Sequence, residues 1–264
     1  MSITIKKLGG MLGAEIYDVD LSANLDKTQI ADIRRALLDN LVIFFRDQNL
    51  TDEDLVRVGK YFGELAPLPP HRQNPGSQPE ILVVEKNPND KLNFGYEWHS
   101  DTTHLPIPPL GSILYALKVP RYGGDTMFAN QYVAYETLSD SVKDTLDGMR
   151  AIHGNGRIMR TLEDKVSPAR GQEAVSAAWS TDTSSHPIVR THPETGRKAL
   201  YVNIAHTQSI EGMEINESQP LLQMLYEHST QNHFTCRFQW EKGSVAFWDN
   251  RCCQHLALND YPGE

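Results

Sequence analysis

Two histidines and one aspartate have the residue types and spacing of a metal-binding triad. His99 and Asp101 are separated only by Ser100. Because alternate residues of a β-strand face the same side, a strand here would aim one imidazole and one carboxylate at the same point. A second imidazole from His255, which follows the sequence Trp-Asp-Asn at 248–250, would complete the array. Two histidines and one carboxylate on one face leave coordination positions open, as in non-haem Fe(II) oxygenases.

Other interpretations of the same residues stay open at this stage. A histidine beside an acidic residue is also common on protein surfaces, where it binds nothing. The triad could instead hold Zn²⁺ and activate a water for hydrolysis. A third alternative is an inactive relative that keeps the fold and only binds a small acid. Release of succinate in the presence of Fe(II) would separate these alternatives from the oxygenase.

Composition and charge exclude several classes of partner. The chain has 264 residues, of which 39% are hydrophobic and 22% are charged, as expected for one globular domain over 1–264. Its net charge of −9 argues against a nucleic-acid partner. No apolar run approaches the ~20 residues that span a bilayer, so we expect no membrane partner. No signal peptide is evident, and three cysteines form no disulfide framework, so we expect a cytoplasmic protein.

The elements that must position the triad are short strands and a few helices. Helices are predicted from apolar spacing over 25–40, from Thr51 onward, over 132–149 with a division at Leu138-Ser139, and over 218–229. Strands are predicted over 3–5, 41–45, 81–85, 110–119, 199–203, 235–240 and 244–248. The polar segment 155–185 is a candidate lid. This pattern favours a mostly β fold with flanking helices, either a sandwich or a barrel.

An ordered set of motifs resembles the taurine dioxygenase family of Fe(II)- and 2-oxoglutarate-dependent oxygenases. The motifs, which lie within a resemblance that runs from about Leu8 through Tyr261, are Trp98-His-Ser-Asp-Thr102, Gly123-Gly-Asp-Thr126, His192-Pro193 with Gly196, Leu200-Tyr-Val-Asn203, and Trp248-Asp-Asn with His255. Within the family, the segments 210–213 and 234–237 look closest to the aryloxyalkanoate dioxygenase branch, which cleaves phenoxy herbicides.

The resemblance implies a fold, a set of cofactors and the residues that bind them. The family fold is a double-stranded β-helix, or jelly roll. His99, Asp101 and His255 match the iron ligands, and Thr126 matches the residue that hydrogen-bonds the distal carboxylate of 2-oxoglutarate. Trp248 is expected to pack beneath the site and shape the cofactor pocket. The implied reaction uses Fe(II), 2-oxoglutarate and O2 to hydroxylate a small anionic organic acid, releasing succinate and CO2.

The resemblance also implies a substrate pocket that differs from that of taurine-specific members. His71, Gly95, Met159 and His206 fall where the family lines this pocket. Gly95 replaces an asparagine, His71 replaces a tyrosine, and His206 replaces an aromatic residue. Taurine is therefore disfavoured, and an aryloxyalkanoate, a sulfonate or an alkyl sulfate is expected, with possible C–O or C–S cleavage. We expect a homo-oligomer, either a dimer or a tetramer. The remaining histidines are expected at the surface or in loops: His153, His186, His192, His228 and His233.

One departure from the family concerns an arginine. The family binds the distal carboxylate of 2-oxoglutarate with an arginine roughly a dozen residues past the second histidine, and arginine is the natural bidentate partner of a carboxylate. The sequence given ends at Glu264, nine residues after His255. We expect the polypeptide to continue about 15–25 residues further and to supply this arginine. No arginine nearer to the motifs fits the role: Arg121, Arg157, Arg160, Arg251.

Overall fold

The computed structural model describes residues 3–66, 78–87, 90, 92–155 and 183–261. The described chain is mostly β with a few helices. Its strands are β1 Thr4–Lys7, β2 Ala14–Tyr17, β3 Val42–Phe45, β4 Gly111–Tyr115, β5 Thr126–Asn130, β6 Arg150–Gly154, β7 Thr183–Pro187, β8 Val189–Thr191, β9 Lys198–Leu200, β10 Thr207–Ile210, β11 Thr235–Phe238, β12 Val245–Asp249 and β13 Cys253–Ala257. Its helices are α1 Lys27–Asn40, α2 Asp52–Lys60, α3 Gln131–Glu136, α4 Asp140–Leu146 and α5 Ile215–Ser229.

The helices begin at capping residues that the sequence contains. Asp26 caps α1, because its side chain accepts from the backbone N–H of Gln29 and the Gln29 side chain accepts from that of Asp26. Thr51 and Asp54 form the same reciprocal pair at the start of α2. Ser139 caps α4, so the predicted helical region over 132–149 divides at the predicted place. Within the described residues, no helix has the length and apolar character that crossing a membrane requires.

Four sheets organise the described strands. The largest has the order β1-β2-β3-β12-β4, and a three-stranded sheet has the order β11-β5-β13. The other two are β10-β6-β7 and the hairpin β8-β9. All pairings are antiparallel except that of β2 with β3.

The inner strands β3 and β12 of the large sheet are buried on both faces. Along β3, Ile43 and Phe45 point into a cluster packed under α1 and α2, whereas Val42 and Phe44 point into a second cluster. This alternation follows from the two-residue period of a strand. In the second cluster the Phe44 ring stacks on Phe238 of β11, with 3.8 Å between centroids. The space between the two sheets is therefore a core layer, and β13, which carries His255, borders it.

Some sequence predictions differ from the structure. Residues 81–85 form no strand: Val83 and Val84 are half exposed, and no strand in the described part of the chain pairs with them. Of the candidate lid at 155–185, residues 183–185 lie in β7, and 156–182 lie outside the described residues. Strand β6 was not predicted, because its sequence Arg-Ala-Ile-His-Gly lacks large apolar residues in alternation.

Candidate active site

The two histidines of the predicted triad lie opposite each other across a short antiparallel bridge. The His99 N–H donates to the carbonyl of His255 at 3.0 Å, and the His255 N–H donates back at 2.7 Å. The prediction that His99 and Asp101 lie on one strand is only partly right. His99 forms this isolated bridge, but the chain turns from Asp101 onward, and Thr102 has φ +53°. The bridge nevertheless places the two imidazole rings 4.0 Å apart between centroids.

The three side chains present a nitrogen, a second nitrogen and an oxygen to a common point. The Asp101 Oδ1 atom lies 3.5 Å from His99 Nε2 and 3.7 Å from His255 Nε2. Two ligands of one ion at bonds of about 2.1 Å and right angles would lie about 3 Å apart, so the spacing suits a small divalent cation. His99 Nδ1–H donates to the Glu97 carbonyl at 2.7 Å, which leaves the Nε2 lone pair for a metal. The donor set fits Fe(II).

The protonation of the triad reflects burial and mutual charge. Burial would raise the pKa of Asp101, but His255 and His99 outweigh it and hold this pKa well below its usual range. Burial, together with the neighbouring His99, lowers the pKa of His255 to about 3. Burial also pushes the pKa of His99 down, yet Asp101 and the Glu97 carbonyl raise it overall. The site therefore holds an anionic carboxylate and a neutral His255.

Thr126 lies beside the triad. It pairs with Ala257, and Phe128 pairs with His255, so Thr126 is a diagonal neighbour of His255 on the same face of the sheet. The Trp240 indole N–H donates to Thr126 Oγ1 at 2.9 Å. Because the hydroxyl oxygen accepts this bond, its proton is available to a carboxylate.

Trp248 packs against the triad from the core layer. Its ring lies 4.6 Å from that of His255 and 5.8 Å from that of Phe128, between centroids. The side chain is 5% exposed. Its position agrees with a residue that supports His255 from beneath.

Of the four predicted pocket residues, two lie in the described part of the chain, and both are near His99. Gly95 has φ +78°, and a Cβ added there would meet His99 Cε1 at 3.0 Å. The His206 ring lies 6.3 Å from the His99 ring. Burial lowers the pKa of His206 to about 3, so its imidazole is neutral. His71 and Met159 lie outside the described residues.

Three histidines that were expected at the surface or in loops are buried, although His192 does lie in the loop between β8 and β9. His153, His186 and His192 are all less than a tenth exposed. The first two stand on β6 and β7, next to each other at 5.4 Å between ring centroids. The expectation was wrong for His153 and His186 because their neighbours in sequence are mostly polar, whereas their burial comes from parts of the chain that are distant in sequence.

A second group with metal-ligand chemistry, His192, Asp249 and Cys252, is a buried ion-pair network. The backbone N–H groups of Glu194 and Thr195 both donate to His192 Nδ1, at 3.2 and 3.1 Å. Since Nδ1 is the acceptor, Nε2 carries the proton that it donates to Asp249 Oδ2 at 3.1 Å. No nitrogen lone pair of His192 therefore remains for a metal.

Arg251 completes this network. Its guanidinium donates to both carboxylate oxygens of Asp249, at 2.8 and 2.6 Å, and to Glu194 at 2.8 Å. Burial lowers the pKa of the Arg251 side chain, but the hydrogen bonds and charges of Asp249 and Glu194 raise it by a larger amount. The guanidinium therefore stays charged. Both carboxylates hold this cation, which agrees with the expectation that Arg251 does not bind 2-oxoglutarate.

A family model described as "Taurine catabolism dioxygenase TauD, TfdA family" matches residues 4–264. The chain belongs to this family. It is a 2-oxoglutarate-dependent dioxygenase, an enzyme that uses Fe(II), 2-oxoglutarate (alpha-ketoglutarate) and O2. The inactive, binding-only alternative has no support among the comparisons.

Two curated relatives have similar identity to the chain. It is 34% identical to an alpha-ketoglutarate-dependent sulfate ester dioxygenase from Pseudomonas putida, over 99% of this chain and 86% of that protein. It is also 34% identical to an alkylsulfatase from Acinetobacter baylyi, over 98% of this chain and 81% of that protein. A (S)-phenoxypropionate/alpha-ketoglutarate dioxygenase from Sphingobium herbicidovorans is 32% identical, over 96% of this chain and 88% of that protein.

Solved structures of the family superpose closely. A taurine dioxygenase from Burkholderia xenovorans is 39% identical with a TM-score of 0.80, covering 97% of this chain and 83% of that one. A structure of AAD-2 in complex with Mn(II) and N-oxalylglycine is 26% identical with a TM-score of 0.79, covering all of this chain and 95% of that one. N-oxalylglycine has the carboxylates of 2-oxoglutarate, so that structure binds a metal together with a co-substrate analogue.

Proposed function

We propose that His99, Asp101 and His255 bind the Fe(II) of this dioxygenase. The convergence of their Nε2, Oδ1 and Nε2 atoms at one buried point carries the proposal. Thr126 binds the distal carboxylate of 2-oxoglutarate through its free hydroxyl proton, and Trp248 fixes the His255 ring. When bound, Fe(II) with 2-oxoglutarate and O2 supplies an oxidant for a substrate C–H bond, with succinate and CO2 as co-products.

His255→Ala tests the metal assignment. We expect the variant to lose tight Mn(II) binding in calorimetry and substrate-dependent succinate formation together, because it removes one of three ligands. Thr137→Ala, which removes a hydroxyl that bonds only within and beside α3, is the control. Mn(II) binding by His255→Ala as tight as that of the parent would place the metal elsewhere.

The substrate class follows from relatives and from the pocket. Two relatives at 34% identity act on sulfate esters or alkyl sulfates by name, a phenoxypropionate dioxygenase is 32% identical, and a solved structure named as a taurine dioxygenase is 39% identical. Gly95 leaves space beside His99, and neutral His206 offers a hydrogen-bonding edge. We propose a small organic acid, with alkyl sulfates first and sulfonates and aryloxyalkanoates as alternatives. Hydroxylation of the carbon that bears the ester oxygen gives a product that collapses to an aldehyde and sulfate.

A substrate screen tests this proposal. The purified enzyme with Fe(II), 2-oxoglutarate and O2 is given alkyl sulfates, alkanesulfonates and aryloxyalkanoates in turn, and succinate formation is measured. We expect stimulation by alkyl sulfates with sulfate and aldehyde released in equal amounts. Stimulation only by aryloxyalkanoates, with a phenol as product, would instead assign the enzyme to the aryloxyalkanoate dioxygenase branch. Stimulation by none of the three classes would contradict the substrate proposal.

The remaining features of the proposal concern the whole protein. We propose that the two packed sheets belong to a jelly roll, that residues 1–264 form one domain, and that the protein is a cytoplasmic homo-oligomer. The likeness to family structures over nearly the full chain supports the fold. Analytical ultracentrifugation tests the oligomeric state, and a sedimenting species of monomer mass would contradict it.

A further inference from the structure

A closed ring of hydrogen bonds surrounds the side of Asp101 that faces away from the two histidines. Ser112 Oγ donates to Asp101 Oδ2 at 2.6 Å. Asn250 Nδ2 in turn donates to Ser112 Oγ at 3.0 Å. The ring closes through Asn250 Oδ1, which accepts from the backbone N–H of Asp101 at 3.2 Å. Asp101 is therefore held at both its main chain and its carboxylate by Asn250 and Ser112.

The direction of every bond in this ring is fixed. The Trp248 indole N–H, which can only donate, also bonds to Asn250 Oδ1, at 3.0 Å. The amide oxygen of Asn250 thus faces two N–H donors, and its NH2 group must face Ser112. Because Ser112 Oγ accepts from this NH2 group, its own proton goes to Asp101 Oδ2. The directions of these hydrogen bonds cannot reverse, so the ring places the Ser112 hydroxyl as a donor to Asp101 Oδ2.

Rigid elements hold both residues of the ring. Ser112 lies on β4, the last strand in the order of the five-stranded sheet, and pairs directly with Trp248 on β12. Asn250 follows β12, is 1% exposed, and donates its backbone N–H to the Leu110 carbonyl at 3.0 Å. Neither side chain can turn away without leaving a buried polar group unpaired.

We infer that Ser112 and Asn250 are positioning residues that keep Asp101 a one-oxygen ligand, an inference that rests on the proposed metal site. Oδ1 is the oxygen near both histidine Nε2 atoms, whereas Oδ2 is occupied by Ser112. A carboxylate with both oxygens free can turn and bind an ion with both. That would take a coordination position that 2-oxoglutarate or O2 needs. The Ser112 bond prevents this and fixes the plane of the carboxylate.

Mn(II) affinity of the purified full chain, measured by calorimetry, tests the inference without turnover. Outer partners of metal ligands commonly affect metal affinity about 10–100-fold. We expect Ser112→Ala, Ser112→Cys and Asn250→Ala each to weaken Mn(II) binding about 10-fold or more. Ser112→Thr, which keeps the hydroxyl, should stay within about 3-fold of the parent. At saturating Mn(II), Ser112→Ala should also bind N-oxalylglycine more weakly than the parent.

Two further variants keep the outcome interpretable. Ser218→Ala removes another buried serine hydroxyl that both accepts and donates, in α5 away from the triad, and should leave Mn(II) affinity unchanged. If Ser112→Ala does not fold, Ser112→Cys, with its weakly donating thiol, carries the test. Parental Mn(II) affinity in the Ser112 and Asn250 variants, with His255→Ala defective, would overturn this inference alone. Parental affinity in His255→Ala would overturn the proposed site itself.

Discussion

His153 is a buried neutral imidazole beside two threonine hydroxyls. Thr103 Oγ1 lies 3.0 Å from His153 Nδ1, and Thr207 Oγ1 lies 3.5 Å from it. The other ring nitrogen, Nε2, has no hydrogen-bond partner within the described residues. Burial, with smaller contributions from His186 and His104, lowers the pKa of His153 to about 3.

This residue should make the protein less stable in mild acid. The unfolded chain binds a proton at His153 near pH 6.5, and the folded chain only near pH 3, so stability is full above about pH 6.5 and falls as the pH drops towards 3. Between about pH 7.5 and 5, protonation of this one group lowers the free energy of unfolding by up to about 2 kcal/mol. Urea unfolding at both pH values should show a smaller loss for His153→Phe than for the parent. Exposed His233→Gln is the control; equal losses in all three proteins would contradict the assignment.

Alanine substitutions at Gly95 and Gly196 distinguish the effect of backbone strain from that of a steric clash at the site. Both have positive φ, +78° and +69°, so alanine costs about 1–2 kcal/mol at either position. Only at Gly95 does a Cβ meet a neighbour, the His99 ring; none lies within 4 Å at Gly196. We expect similar losses of unfolding free energy, but weaker Mn(II) binding and lower kcat only for Gly95→Ala. Normal Mn(II) binding in that variant would mean that the His99 ring moves aside without cost.

At the scale of elements, the turn between β12 and β13 depends on a buried ion pair. Asp249 is 1% exposed, and Arg251 and His192 outweigh burial to lower the pKa of its carboxyl. Asp249→Asn leaves the Arg251 cation with a neutral partner, so we expect a loss of up to about 3–5 kcal/mol in chemical denaturation. Glu136→Gln breaks the Arg197–Glu136 pair, in which both side chains are more than 40% exposed, and should cost less than about 1 kcal/mol. Equal costs would show that the turn does not need its charges.

The elements also show which features a sequence can predict. The division between α3 and α4 was predictable, because Ser139 caps a helix through its near neighbours. The strand predicted at 81–85 was wrong, because apolar residues form a strand only where another strand pairs with them. The triad was found because residue types with metal chemistry stand at motif spacing. The position of Ser112 beside Asp101 was not predicted. Its partner Asn250 lies 138 positions away, and a serine–asparagine pair has no recognisable sequence pattern.

At the scale of the molecule, the strands β3 and β12 contribute to two of the three hydrophobic clusters of the described residues. Phe45 and Phe247 face the cluster under α1 and α2, whereas Phe44 and Trp248 face the cluster that supports His255. Unfolding either cluster therefore exposes strands that the other needs. We expect the purified protein to unfold in a single calorimetric transition, as one domain would.

Binding at the triad should then stabilise the entire domain. Mn(II) with N-oxalylglycine, at 100 times its dissociation constant, should add about 2.7 kcal/mol by mass action and raise the whole transition together. His255→Ala, which should not bind the metal tightly, should show no such rise. Two separate transitions, of which only one moves with ligand, would contradict the single-domain proposal.

The mutual backbone bonds of His99 and His255 make the site sensitive to sliding of one strand past another. The side of a strand that a residue faces alternates, so a shift of β13 by one position relative to β5 would turn His255 away and bring Gln254 or Leu256 to the triad. The length of the 250–252 turn sets this alignment, and the His99 bridge locks it. Inserting or deleting a single residue in that turn would abolish the site even with all three ligands intact. A change in the number of residues in this turn should therefore be as damaging to the site as the loss of a ligand.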